Sequence, residues 1–127
     1  MVPSEVLHTE DHKRYGTRAF LRLELTDDAV IVVVHELGPL QVRDESQEGR
    51  DAWHTWQEQL EPPALTDDLA TTYAPSGERR EVGPGGSPST VRTPMKATVS
   101  WRFLPPPPAE ACRWTVDARW TVERFPG

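Results

Sequence analysis

The sequence predicts an all-β protein built as an antiparallel sandwich of two sheets, and three observations carry that prediction. From Met95 to Phe103 the odd positions are Met95, Ala97, Val99, Trp101 and Phe103, with polar residues between them. From Cys112 to Val122 the even positions are Cys112, Trp114, Val116, Ala118, Trp120 and Val122, again with polar residues between. Side chains on a strand point alternately to opposite faces, so each run has one dry face and one wet face. The third observation is the connection, Pro105 to Pro108, which is too stiff for a tight hairpin. Four prolines in an extended helix rise about 3.1 Å each and span roughly 9–12 Å. Stacked sheets lie about 10 Å apart. The chain is therefore expected to leave one sheet after Phe103 and enter the other near Ala111, with Trp101 and Phe103 facing Trp114 and Val116.

Composition limits the alternatives. At 127 residues the chain fits one domain with a core that needs no metal or disulfide staple. A formal charge of −6 argues against nucleic acid or an anionic membrane as partner, since both require a basic face. Twelve Arg against two Lys, together with 13 Pro, suggests a GC-rich bacterial genome. A single cysteine excludes an internal disulfide, and its parity with Trp114 predicts a buried, inert thiol at Cys112. Residues Met1 to Glu10 carry neither a basic nor an apolar secretory region, which makes cytoplasm the expected compartment. The longest apolar run, Ala29 to Val34, is too short to cross a bilayer.

Along the chain, residues 1–16 read either as a flexible arm or as an edge strand around Val6, and residues 17–127 as one sandwich domain. Leu21, Leu23 and Leu25 alternate with Arg22 and Glu24 in a half-buried strand, and Asp27-Asp28 supplies a turn. Ala29 to Val34 follows as a strand apolar on both faces, and such a strand needs cover on both sides. The long insert after it is the simpler cover. The alternative is a homodimer interface through Val30, Val32 and Val34. Gly38-Pro39 is expected to break the strand, and Arg43 to Asp51 to form a charged loop. Trp53, Trp56 and Leu60 stand at helical spacing behind Asp51, but an irregular strand suits the segment equally well. Thr66-Asp67-Asp68 repeats the turn chemistry of Thr26-Asp27-Asp28. Residues 75–94, rich in Pro and Gly, read as a mobile loop with Glu78-Arg79-Arg80-Glu81 as its solvated tip. Cys112 to Val122 is long for one strand; two short strands are the alternative, but no Gly or Asn stands between them.

One resemblance emerges from these residues. Asp67-Asp68-Leu69-Ala70-Thr71-Thr72-Tyr73, a Gly-rich segment, and then Trp101-Arg-Phe-Leu followed by the prolines resembles a type of immunoglobulin-like domain. Similar patterns, Asp-Asp-x-Gly-x-x-Tyr…Phe-x-Pro, occur in actinobacterial proteins and some extracellular bacterial lipoproteins. The match covers roughly residues 66–122 and departs at Ala70, where the pattern has Gly. It implies an immunoglobulin-like sandwich of about seven strands and no catalytic residues.

Candidate chemistry is sparse. His8 and His12 have a spacing that zinc sites use, but zinc needs three or four ligands, so exposed histidines in a charged arm explain them better. Asp27-Asp28 and Asp67-Asp68 lack the ligand period of a calcium loop, and turn formation accounts for both. Pro105 to Pro108 contains a PxxP, yet two core strands flank it directly, which favours a scaffold connection. No nucleophile elbow, phosphate loop or metalloprotease helix is present. The sequence therefore points to a non-enzymatic accessory or protein-interaction module without cofactor or metal, engaging a protein partner or a second copy. The competing expectation is a module for carbohydrate or another small ligand, using Trp53 and Trp56, the two tryptophans outside any clear strand.

Overall fold

A computed structural model describes residues 5–8, 14–40, 55–83 and 94–124. These form eight strands: β1 (Glu5–Leu7), β2 (Arg18–Leu25), β3 (Val30–Leu40), β4 (Leu65–Asp67), β5 (Ala74–Gly83), β6 (Pro94–Leu104), β7 (Arg113–Val116) and β8 (Trp120–Glu123). They make two antiparallel sheets, one in the order β1-β2-β3-β6-β5 and the other in the order β4-β7-β8. The fold is an all-β sandwich. Residues 55–59 form a short helix, while the preceding part of the ambiguous segment, 51–54, lies outside the described residues.

The proline bridge connects the sheets as its length requires. The chain leaves the five-stranded sheet at Leu104 and enters the three-stranded sheet at Arg113. Val99, Trp101 and Phe103 on one side and Trp114, Val116, Trp120 and Val122 on the other share one core. Trp114 has no exposed surface, and truncating a core tryptophan of this kind costs about 3–5 kcal/mol.

The expected hairpin of β2 and β3 is present, and its turn is built by Thr26. The Thr26 hydroxyl accepts from the amides of Asp28 and Ala29 and donates to the carbonyl of Ala29. In two details the strands differ from a simple alternation. A bulge between Phe20 and Arg22 shifts the parity, so Phe20 enters the core and Leu21 faces water. Gly38-Pro39 does not end β3: the strand absorbs both residues in an irregularity between Leu37 and Leu40 and continues to pair with β6.

The interface expected at Val30, Val32 and Val34 is corrected by the sandwich itself. All three are fully buried between the sheets as part of the core, and β6 pairs along the other side of β3. Side chains buried to this degree have no surface to offer a partner.

Three further expectations change. The segment from Pro75 forms strand β5 as far as Gly83, paired along β6, while residues 84–93 lie outside the described ones. Composition suggested a loop, and residues 74–79 are indeed exposed; backbone pairing with β6 supplies their order. Cys112 is exposed, because β7 begins at Arg113 and the parity of the strand does not reach it. Its amide instead donates to the carboxylate of Asp68, at 3.1 Å. The run from Cys112 to Val122 is a hairpin of two strands. Asp117 and Ala118 both take positive φ (53° each), and the amide of Arg119 donates to Val116 O at 3.0 Å, the pattern of a type I′ turn. Without Gly or Asn the turn is disfavoured locally, and Asp117 is held by bonds from outside the hairpin. Its amide donates to Ala64 O at 2.8 Å and its Oδ1 accepts from Ala64 N at 2.9 Å.

The Asp67–Tyr73 corner carries the chain from β4 back to the larger sheet. Asp67 Oδ1 accepts from the amides of Leu69 and Thr71, each at 2.9 Å, and Oδ2 accepts from the Tyr73 hydroxyl at 2.8 Å. Trp114 Nε1 donates to the same hydroxyl at 3.1 Å, so the corner is tied to the core. Burial raises the Asp67 pKa, but the bonds from Thr71, Tyr73 and Leu69 outweigh it and hold the group below its ordinary value. Tyr73 is pushed up to about 12 by burial and by Asp67. Ala70, where the resembling pattern has Gly, sits at φ 57°.

Two predictions follow from these turns. Ala70→Gly and Ala118→Gly should each raise stability, by about 0.5–1 kcal/mol, because the left-handed conformation costs an alanine more than the glycine loses in chain entropy. Urea midpoints of the variants measure this. The contribution of Asp67 should be complete above the unfolded carboxyl value of about 3.9 and should vanish as pH falls through its lower folded value. Urea unfolding across the acid range should therefore show a steeper loss for the parent chain than for Asp67→Asn.

Candidate functional site

A cleft of about 830 Å³ opens where the start of β2, the end of β3, the helix at 55–59 with the segment after it, and the β7–β8 turn meet. Its centre is Arg18. Arg18 Nε donates to Glu36 Oε1 at 2.6 Å, Nη1 to Asp117 Oδ2 at 3.0 Å, and Nη2 to the carbonyl of Glu61 at 2.5 Å. Glu36 is 4% exposed, and a carboxylate so buried is tolerated only when paired. Burial opposes the charge on Arg18, but Glu36 and then Asp117 outweigh it and hold the guanidinium above its ordinary pKa. All three nitrogens are thus committed to partners on three different elements. The cluster fixes one sheet against the other.

Three aromatic rings, those of Tyr15, Trp56 and Trp120, stand among the polar residues that line the cleft. Tyr15 meets Trp120 edge to face at 5.3 Å, and the Arg119 guanidinium lies 4.7 Å from the centre of the Tyr15 ring. Trp56 forms another part of the wall but is only 8% exposed. Its indole covers Gly38 so closely that a Cβ there would come within 2.5 Å of the ring. The glycine in β3 therefore serves close packing. Trp56, expected as a stacking platform, is buried against β3 through part of its ring and also lines the cleft. Trp53 lies outside the described residues, as do His12 and His54. His35 is tied to Arg14, whose Nη2 is 2.9 Å from His35 Nδ1; burial, then Arg14 and Lys96, lowers its pKa. Among the described residues no three His, Cys, Asp or Glu side chains gather to hold a metal ion. Among them, too, no helix is long and apolar enough to cross a membrane.

The second surface is the outer edge of β5. Among the described residues β5 pairs only with β6, and residues 74–79 are exposed throughout. After a bulge between Pro75 and Gly77, its pairing with β6 runs without interruption to Gly83. On the core side Glu78 grips Arg80 through both oxygens, at 2.5 and 3.1 Å, and Arg80 Nη1 also donates to Gln57 O and Oε1, each at 2.7 Å. On the outward side Arg79 and Glu81 stand 3.8 Å apart, with side chains 81% and 70% exposed.

Sequence reasoning missed Arg18, Glu36 and Asp117. A hairpin pairing Leu25 with Val30, extended without interruption, would set Arg18 opposite Leu37. The Phe20–Arg22 bulge moves it opposite Glu36. Nothing local marks Asp117, which reaches Arg18 across 99 positions of sequence. The β5 edge was overlooked because its composition resembles that of a loop.

Removing Arg18 should leave the buried Glu36 carboxylate without its charged partner. Arg18→Met is expected to cost about 3 kcal/mol, and Arg18→Met combined with Glu36→Gln to cost less than the single change. Chemical denaturation of the two variants checks the cycle.

Comparison with protein-family models, with curated proteins and with solved structures finds no match to this chain. The geometry alone has to carry the functional reading.

Proposed function

We propose that this chain is a non-enzymatic interaction module of immunoglobulin-like build, which engages an extended protein segment along the outer edge of β5. The observation that carries the reading is a ten-residue edge strand, exposed over most of its length and bonded among the described residues on one side only. An extended segment added to such an edge gains a ladder of main-chain hydrogen bonds, and its side chains alternate against those of the strand. The charges from Glu78 to Glu81 discourage indiscriminate pairing and favour a segment of matching charge.

The strand order supports the immunoglobulin-like part. Without the edge strand β1, the sheets read β2-β3-β6-β5 and β4-β7-β8, the four-plus-three arrangement of constant-type immunoglobulin domains. The tyrosine corner differs in position: in those domains it precedes the sixth strand, and here Asp67 to Tyr73 joins the strands in third and fourth place.

A second reading, binding of a small ligand such as a carbohydrate, draws on the cleft. Its 830 Å³ lies within the usual range of ligand pockets, and Tyr15, Trp56 and Trp120 line it. The committed Arg18 cluster and the covered Trp56 ring leave it fewer free groups than the β5 edge has.

Selection from a displayed library of random extended peptides separates the two. Peptides recovered on the β5 reading should perturb the backbone amides of β5 in a heteronuclear NMR titration, slow the exchange of alternate ones, and bind more weakly to Arg79→Glu. Binders that move only the amides around Tyr15, Trp56 and Arg119 would overturn it in favour of the cleft.

A further inference from the structure

We propose that a second copy of this chain occupies the β5 edge, antiparallel and in a register centred on Arg80, so that the two five-stranded sheets become one. The inference rests on the reading of that edge as an interaction surface and names its occupant. A two-fold axis perpendicular to a sheet joins like faces, so residues of the same parity must oppose each other. The uninterrupted part of β5 runs from Gly77 to Gly83, and its midpoint is Arg80. About that midpoint Gly77 of one copy stands opposite Gly83 of the other, and Arg79 opposite Glu81, twice.

Charge chooses this register over its neighbour. Arg79 and Glu81 are the two side chains on the strand with charge to spare: both are largely exposed, and they meet within one chain at only 3.8 Å. Glu78 and Arg80 are already joined through two hydrogen bonds, and Arg80 is further held by Gln57. At the axis the two Arg80 groups therefore arrive each neutralised by its own Glu78. A register centred on Arg79 would instead ask the committed Glu78 and Arg80 to re-pair, and would set the exposed Arg79 side chains against each other. The opposite-charge pairs favour the chosen register and the like-charge contacts disfavour the other. Exposed pairs of this kind are weak and screened by salt, so the association is a salt-sensitive one between exposed edges.

Sedimentation of the full chain over a range of concentrations, at ~0.05 M and ~0.5 M salt, tests the proposal. A monomer–dimer equilibrium that weakens with salt is expected. Arg79→Glu and Glu81→Arg should each weaken it by about tenfold, since each turns two opposite-charge contacts into like-charge ones. The double variant, which exchanges the two charges, should restore it. All three variants should unfold at the parent temperature, because both side chains are exposed. A chain that stays monomeric, or a dimer indifferent to the single variants, overturns the second copy as occupant. If that monomer still binds selected peptides along β5, the interaction surface stands and only the self-pairing falls; if it binds none there, both fall.

Discussion

One guanidinium sets the relation between the two sheets. Arg18 begins β2, its partner Glu36 lies opposite on β3, and its other partners are Asp117 in the β7–β8 turn and the carbonyl of Glu61. Arginine suits this post because its planar fork can address several acceptors at once and stays charged under all ordinary conditions. Glu36 holds Arg18 within the larger sheet, and displacement of the smaller sheet would part the same guanidinium from Asp117. The apolar core resists sliding by its packing, and the Arg18 cluster adds a directional polar tie to it.

A second polar assembly stands at the other end of β4 and β7. There Asp67 receives two amides and the Tyr73 hydroxyl, and Tyr73 in turn receives Trp114 from the core. Asp68 accepts the amide of Cys112 beside it. The smaller sheet, with strands of only three and four residues, is thus pinned at both ends while its tryptophans fill the middle. Short strands bury too little to hold position by themselves, and side-chain hydrogen bonds at their ends make up the difference.

Much of the architecture was legible because alternation over long strands is a direct imprint of a half-buried sheet. The runs from Val99 to Phe103 and from Trp114 to Val122, with the prolines between them, sufficed to infer two layers. What escaped has a common physical cause: local rules give way where tertiary bonds intervene. The turn at Asp117-Ala118 has no glycine because Ala64 holds Asp117 from another element. Leu21 faces water because a single bulge inverts the period for one position. β5 has a loop's composition because it stands at an edge, where main-chain bonds to β6 order it and little side-chain burial is required. The candidate surfaces were harder still. The Arg18 cluster joins residues far apart in sequence, and the edge of β5 becomes visible only once its neighbour is known.

The central pairing also sets the order in which this protein can be assembled. β3 and β6 pair from Val30 opposite Phe103 to Leu40 opposite Pro94, yet β4 and β5 lie between them in the chain. Pairings between distant segments form late, since the intervening chain must first be closed into a loop. During synthesis the valine-rich strand therefore emerges with only β2 for company and waits for β6 with its other edge bare. A short β-branched stretch without charge is prone to pair with its own kind when left open. The edge of β3 that β6 covers is thus the part of the larger sheet that depends most on a distant segment for its protection.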